Sequence, residues 1–163
     1  MSRSEPPPDS YDDVPLSALL PAARSVYSHA ITAALSQIGC DDLPGTGSYI
    51  ISAMHWSGAS LEAVIRWMGV SKQAVSKTVD TLVLRGYLER VRDPSDRRKV
   101  NLTLTSRGRE AGKAARSAVE KLDRALRGRV GAQQVATVRT VLVTLLEMDR
   151  HVRRPGGLRP PSS

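Results

Sequence analysis

The sequence contains no phenylalanine, and aromatic residues make up only 4% of it. Proteins that read single-stranded nucleic acid stack bases on aromatic rings, so that class is disfavoured at the outset. The lone cysteine, Cys40, excludes an intramolecular disulfide and a cysteine-built metal site. No apolar run approaches the roughly 18 residues that a membrane-spanning helix requires. The N-terminal stretch MSRSEPPPDSYDD is polar and acidic, without the apolar centre of a secretory leader. His29, His55 and His151 are scattered with no metal-ligand spacing, and neither a Gly-rich phosphate loop nor a nucleophile motif occurs. These absences lead us to expect a cytoplasmic protein that is no enzyme and needs no metal or cofactor.

What remains is a 163-residue chain, 40% hydrophobic, long enough for one domain with a real core. Its net charge is +8, and the distribution matters more than the sum. Residues 1–20 hold one base and four acids, whereas residues 71–109 hold ten Lys/Arg against four Asp/Glu. Residues 110–130 add six bases against three acids. A positive patch centred on the middle of the chain suits a polyanion, most simply nucleic acid. A solvated face tuned for solubility is the rival reading of charge alone.

Periodicity predicts the organisation. Apolar residues at Leu16, Leu19/Leu20, Ala23, Val26/Tyr27, Ala30/Ile31, Ala34/Leu35 and Ile38 mark an amphipathic helix, with Pro21 near its start. The segment CDDLPGTG breaks it. Ser48–Trp56 and Ser60–Met68 follow as short helices, the second capped by Ser60 and ended by Gly69. Ser71 caps the next, which stops at Gly86. Two helices joined by Gly69-Val70-Ser71 form a helix-turn-helix. Next come YLERVR, a turn DPSD, and KVNLTLT, in which Val100, Leu102 and Leu104 alternate with polar residues as in a strand with one buried face. A long helix capped by Ser106 runs to about Arg129, and a last one from Gln133 to about Arg150. The reading is a mainly α fold with a small β-hairpin wing: a winged helix-turn-helix flanked by long N- and C-terminal dimerisation helices. Its expected divisions are a disordered tail over 1–14, a dimerisation helix over 15–40, a DNA-binding domain over 45–108, C-terminal dimerisation helices over 109–152, and a disordered tail over 153–163.

On the helix Lys72–Arg85, Val75, Val79, Leu82 and Val83 share one face, leaving Lys72, Gln73, Ser76, Lys77 and Asp80 on the other. Gln73 suits a bidentate pair with adenine, Lys77 a guanine or phosphate, and Ser76 either, while Ala74 meets a thymine methyl. Ser71 and the helix N-terminus favour phosphate. Asp80 is the awkward member, since it repels the backbone unless paired with Lys77 or a cytosine amino group. In the hairpin tip, Arg98 is the candidate for insertion into a minor groove, oriented by Asp96, with Arg97 and Lys99 on phosphates.

At these residues the sequence resembles the MarR family of bacterial winged-helix transcriptional regulators. Its wing fits the pattern D-x-R-x-x-x-x-x-L-T through Asp96, Arg98, Leu104 and Thr105, and the resemblance is strong over about Ser60–Gly108. It departs where the family has a Leu-Ala pair and this chain has Val64-Ile65. The resemblance implies a homodimer that binds a pseudo-palindromic operator on double-stranded DNA, a repressor acting by occlusion. It also implies a small-molecule effector or oxidant, for which Tyr27, Met54, His55 and Trp56 are the candidate pocket. Cys40 is the candidate redox residue, although Asp41 and Asp42 beside it disfavour a thiolate. Two other classes stay open: a winged-helix protein-interaction module and a sequence-neutral DNA-organising protein.

Overall fold

The computed structural model describes residues 11–57, 61, 72–92 and 100–152. It is mainly helical with one two-stranded antiparallel sheet: α1 (Leu16–Ser36), α2 (Gly45–Ser57), α3 (Lys72–Leu84), β1 (Leu88–Arg92), β2 (Val100–Leu104), α4 (Ser106–Val130) and α5 (Ala132–Val152). The chain divides into two compact units, residues 1–119 and 120–163, with the boundary inside α4. Among the described residues no helix is long and apolar enough to cross a membrane.

The first unit holds the core. Ile31 and Leu35 of α1, Ile50, Ile51 and Met54 of α2, Val75, Val79 and Leu82 of α3, Ala111 and Ala115 of α4, and Leu61, Tyr87 and Leu88 form one buried cluster. In α3 the spacing of Val75, Val79 and Leu82 is that of one helix face, as the sequence predicts. In α4, Gly108, Ala111, Gly112 and Ala115 recur at helical spacing and are all small, so this half of the helix sits tight on its neighbours. A Cβ on Gly108 would collide with the Tyr87 carbonyl oxygen, so a larger residue there forces the backbone to shift.

Helix α1 continues through Pro21 and begins at Leu16, earlier than a strict reading of proline allows. The Ser17 carbonyl, which proline cannot bond, belongs to an exposed residue. Helix α2 begins at Gly45, three residues before its expected start, because Ser48 N–H reaches back to Pro44 and the Ser48 hydroxyl donates to the Gly45 carbonyl. Between the two helices, the Tyr49 hydroxyl bonds Ser28 Oγ at 2.9 Å and Arg24 Nε at 3.1 Å, with the Arg24 guanidinium over its ring. Burial opposes ionisation of Tyr49, but these bonds prevail and hold its pKa below the ordinary value.

In the second unit, α5 is apolar over much of its surface yet exposed: Val138, Val141, Leu142, Val143, Leu145, Leu146 and Met148 all face solvent in the single chain.

Candidate nucleic-acid interface

The candidate surface is built from α3, the hairpin and the junctions that join them. Burial of Val75, Val79 and Leu82 turns Ser76, Lys77 and Asp80 outward, and all three are exposed. Lys72, Gln73 and Ala74 open the same helix, but their side chains lie outside the described residues, as do Ser71 and the wing residues Asp96, Arg97, Arg98 and Lys99. The structure therefore brings Ser76 and Lys77 onto the expected face, and the assignment of the wing tip rests on the sequence.

Asp80 has a partner the sequence reading did not consider. Arg90 Nη2 of β1 donates to Asp80 Oδ1 at 2.7 Å, so the carboxylate on this exposed face is neutralised from the hairpin. The register of the hairpin places Arg90 opposite Leu102 in the middle of the sheet, two residues along from buried Leu88.

A Schellman end joins helix to wing. Gly86 takes φ +73°, its N–H bonds the Val83 carbonyl, and the Tyr87 N–H bonds the Leu82 carbonyl at 2.8 Å. A β-carbon disfavours this left-handed conformation, so glycine is the residue of choice where α3 must stop and reverse. Tyr87 then enters the core with its ring fully buried, while its hydroxyl donates to Asp42 Oδ1 at 2.6 Å.

Arg107, early in α4, ties three elements together. Its Nη1 donates to the Arg85 carbonyl just past the C-terminus of α3 at 2.6 Å, and its Nη2 to Asp42 Oδ1 at 2.9 Å. Its guanidinium carbon lies 4.3 Å from the centroid of the Tyr87 ring. The Tyr87 hydrogen bond, aided by Arg107 and Arg85, holds the Asp42 carboxyl below its usual range despite some desolvation. Burial, reinforced by the bond to Asp42, pushes the Tyr87 phenol upward, so it stays a neutral donor. Sequence reasoning missed this group because Asp42, Tyr87 and Arg107 are far apart in the chain. The nearest signal was an acidic pair, Asp41-Asp42, in a loop that otherwise had no use for charge.

Thr105, not Ser106, caps α4: the Gly108 N–H donates to Thr105 Oγ1 at 3.0 Å, while the Thr105 hydroxyl turns toward the Gly86 and Tyr87 carbonyls. The last residue of the wing signature thus locks the hairpin's return strand to the end of α3. Ser106 is already helical and accepts from Arg109.

The four residues proposed for a pocket differ in their surroundings. Met54, His55 and Trp56 are consecutive on α2 and so point about 100° apart. Met54 enters the core, His55 lies against Gly112 of α4, and Trp56 is exposed, while Tyr27 is half-buried on α1. Cys40 is buried.

Residues 41–99 match a family model described as MarR family. A curated relative, the uncharacterized HTH-type transcriptional regulator YdcH of Bacillus subtilis (strain 168), is 47% identical over 51 residues. That match spans 31% of this chain and 35% of the relative, about a third of its length. Among solved structures, the transcriptional repressor CouR bound to a 23-mer DNA duplex is 21% identical with a TM-score of 0.63, over 86% of this chain and 99% of that one. The MarR family protein Rv2887 of Mycobacterium tuberculosis, in complex with salicylic acid, is 28% identical with a TM-score of 0.54, over 83% and 99%.

Proposed function

We propose that this winged-helix chain is a member of the MarR family, as the match over residues 41–99 and the shared fold support, and that it binds double-stranded DNA sequence-specifically as a homodimer and represses transcription by occupying a pseudo-palindromic operator. The observation that carries this reading is the exposed face of α3. Its apolar stripe is buried in the core, so that Ser76 and Lys77 are presented outward on a rigid helix beside a basic hairpin. Side chains of this kind donate to and accept from base edges in a major groove, and the surrounding Lys and Arg supply the phosphate attraction. Gln73 reads a base, and Arg98 at the wing tip enters the neighbouring minor groove with Asp96 orienting it. Lys72, Arg97 and Lys99 contact phosphates.

The homodimer follows from α5 and from the exposed apolar residues Leu16, Leu20 and Val26 of α1. A soluble helix that is apolar over so much of its circumference belongs at an interface. A two-fold dimer presents two recognition helices to successive major-groove faces, so half-sites should lie about 10 bp apart centre to centre. That CouR, a protein of the same fold, is bound to a DNA duplex supports the DNA-binding part of this reading.

The test is selection of bound duplexes from a random pool by the full chain. An inverted repeat with half-sites about one helical turn apart is the expected result; recovery of no common sequence would count against specific readout. A small-molecule effector that alters this affinity is a second reading, favoured by the salicylic acid bound to Rv2887. Thermal shift with salicylate as the probe addresses it directly.

A further inference from the structure

We propose that the Asp80–Arg90 ion pair is a positioning device that fixes the wing against the recognition helix, so that its loss lowers sequence discrimination rather than attraction to DNA in general. The inference rests on the DNA-reading function proposed above and deepens it by assigning two residues a role there.

The first argument is where packing runs out. Strand β1 enters the core only through Leu88; Glu89, Arg90, Val91 and Arg92 are all exposed. On β2, Val100 and Asn101 are exposed and only Leu102 and Leu104 are partly covered. Beyond its base, then, the hairpin has little apolar contact to fix its angle. The 2.7 Å contact from Arg90 Nη2 to Asp80 Oδ1 lies just past that point and joins the middle of β1 to the outward face of α3.

The second argument is charge. A carboxylate three residues along from Lys77, on a face meant for phosphates, works against binding unless it does something else. Neutralisation alone does not account for it, because asparagine there removes the same repulsion with no partner needed. Holding Arg90 does account for it. The two side chains are 52% and 62% exposed, so the pair adds little to folding stability. What it supplies is a preferred orientation for a strand that carries the wing tip.

The probe is the duplex that the wild-type chain enriches from a random pool, set against a scrambled duplex of equal length at one salt concentration. Asp80→Asn leaves the chain one unit more positive. Its affinity for the scrambled duplex should hold or rise while that for the enriched duplex falls, narrowing the ratio by up to about fivefold, the range open to one exposed ion pair. Arg90→Gln should narrow the ratio to a similar degree, Arg90→Lys should retain most of it, and the double variant should lose no more than either single change. Melting temperatures close to wild type show that folding is intact. The inference is overturned if Asp80→Asn keeps or widens the ratio, or if the two losses multiply, which would make Arg90 an independent phosphate contact. A wild-type chain that binds both duplexes equally defeats the DNA-reading function itself and this inference with it.

Discussion

Two helices of this protein carry apolar stripes of similar spacing and opposite fate. In α3, Val75 and Leu82 are 1% and 0% exposed; in α5, Val138 and Met148 are 57% and 60% exposed. The winged helix completes its core within its own unit, drawing on α1, α2, Tyr87 and the small-residue half of α4. The second unit does not complete one. On our reading α3 is a self-sufficient reading head, and α5 is half of an interface that a second copy closes.

The sharpest way to break this contrast is to charge α5. Leu142→Asp with Leu145→Asp should convert dimers to monomers by light scattering, with helical circular dichroism preserved. An unchanged mass would place the interface elsewhere. In α3, Leu82→Ala should instead lower unfolding free energy by about 2–5 kcal/mol, because it opens a cavity against α2 in a close-packed site; denaturant titration measures it. Next in size, Gly108→Ala forces a Cβ against the Tyr87 carbonyl and should cost about 1–3 kcal/mol, the usual range for overpacking. Here too the readout is unfolding, and a neutral result would mean that α4 lifts away from β1 freely.

Tyr87→Phe is a smaller change. It removes the hydrogen bond to Asp42 while Arg107 stays, and a loss of about 1 kcal/mol is expected. The smallest effect is in pH. The folded-state pKa of Asp42 lies below its ordinary 3.8, so the native state favours the ionised carboxylate. Its contribution is complete above that ordinary value and fades as pH falls through the lower folded one. Asp42→Asn should therefore flatten the acid limb of the stability profile below about pH 4 and leave its alkaline side unchanged. A steeper acid limb in the variant would contradict the assignment.

Local signals were read well from the sequence, and contacts across the chain were not. Helical spacing located α3, its buried face and its glycine stop, and alternation located the hairpin. Both are properties of neighbouring residues. Arg90 as the partner of Asp80 was not legible, because the pairing depends on how β1 is aimed after the Gly86 reversal. Nor was the Arg107–Asp42–Tyr87 group, whose members meet only once α4 has packed down on its glycines. The cap of α4 went to Ser106 on residue type alone. Thr105 holds it because its hydroxyl also reaches the Gly86 and Tyr87 carbonyls, which no local pattern reveals.

The account stands most directly on a titration of the full chain against its own selected duplex and a scrambled one, each at two salt concentrations. Binding to the selected duplex tighter by ~10³ or more, with a preference that outlasts the change in salt, is the predicted result. Equal affinities that fall together as salt rises would show a basic surface held to DNA by charge alone, and would contradict a reading head.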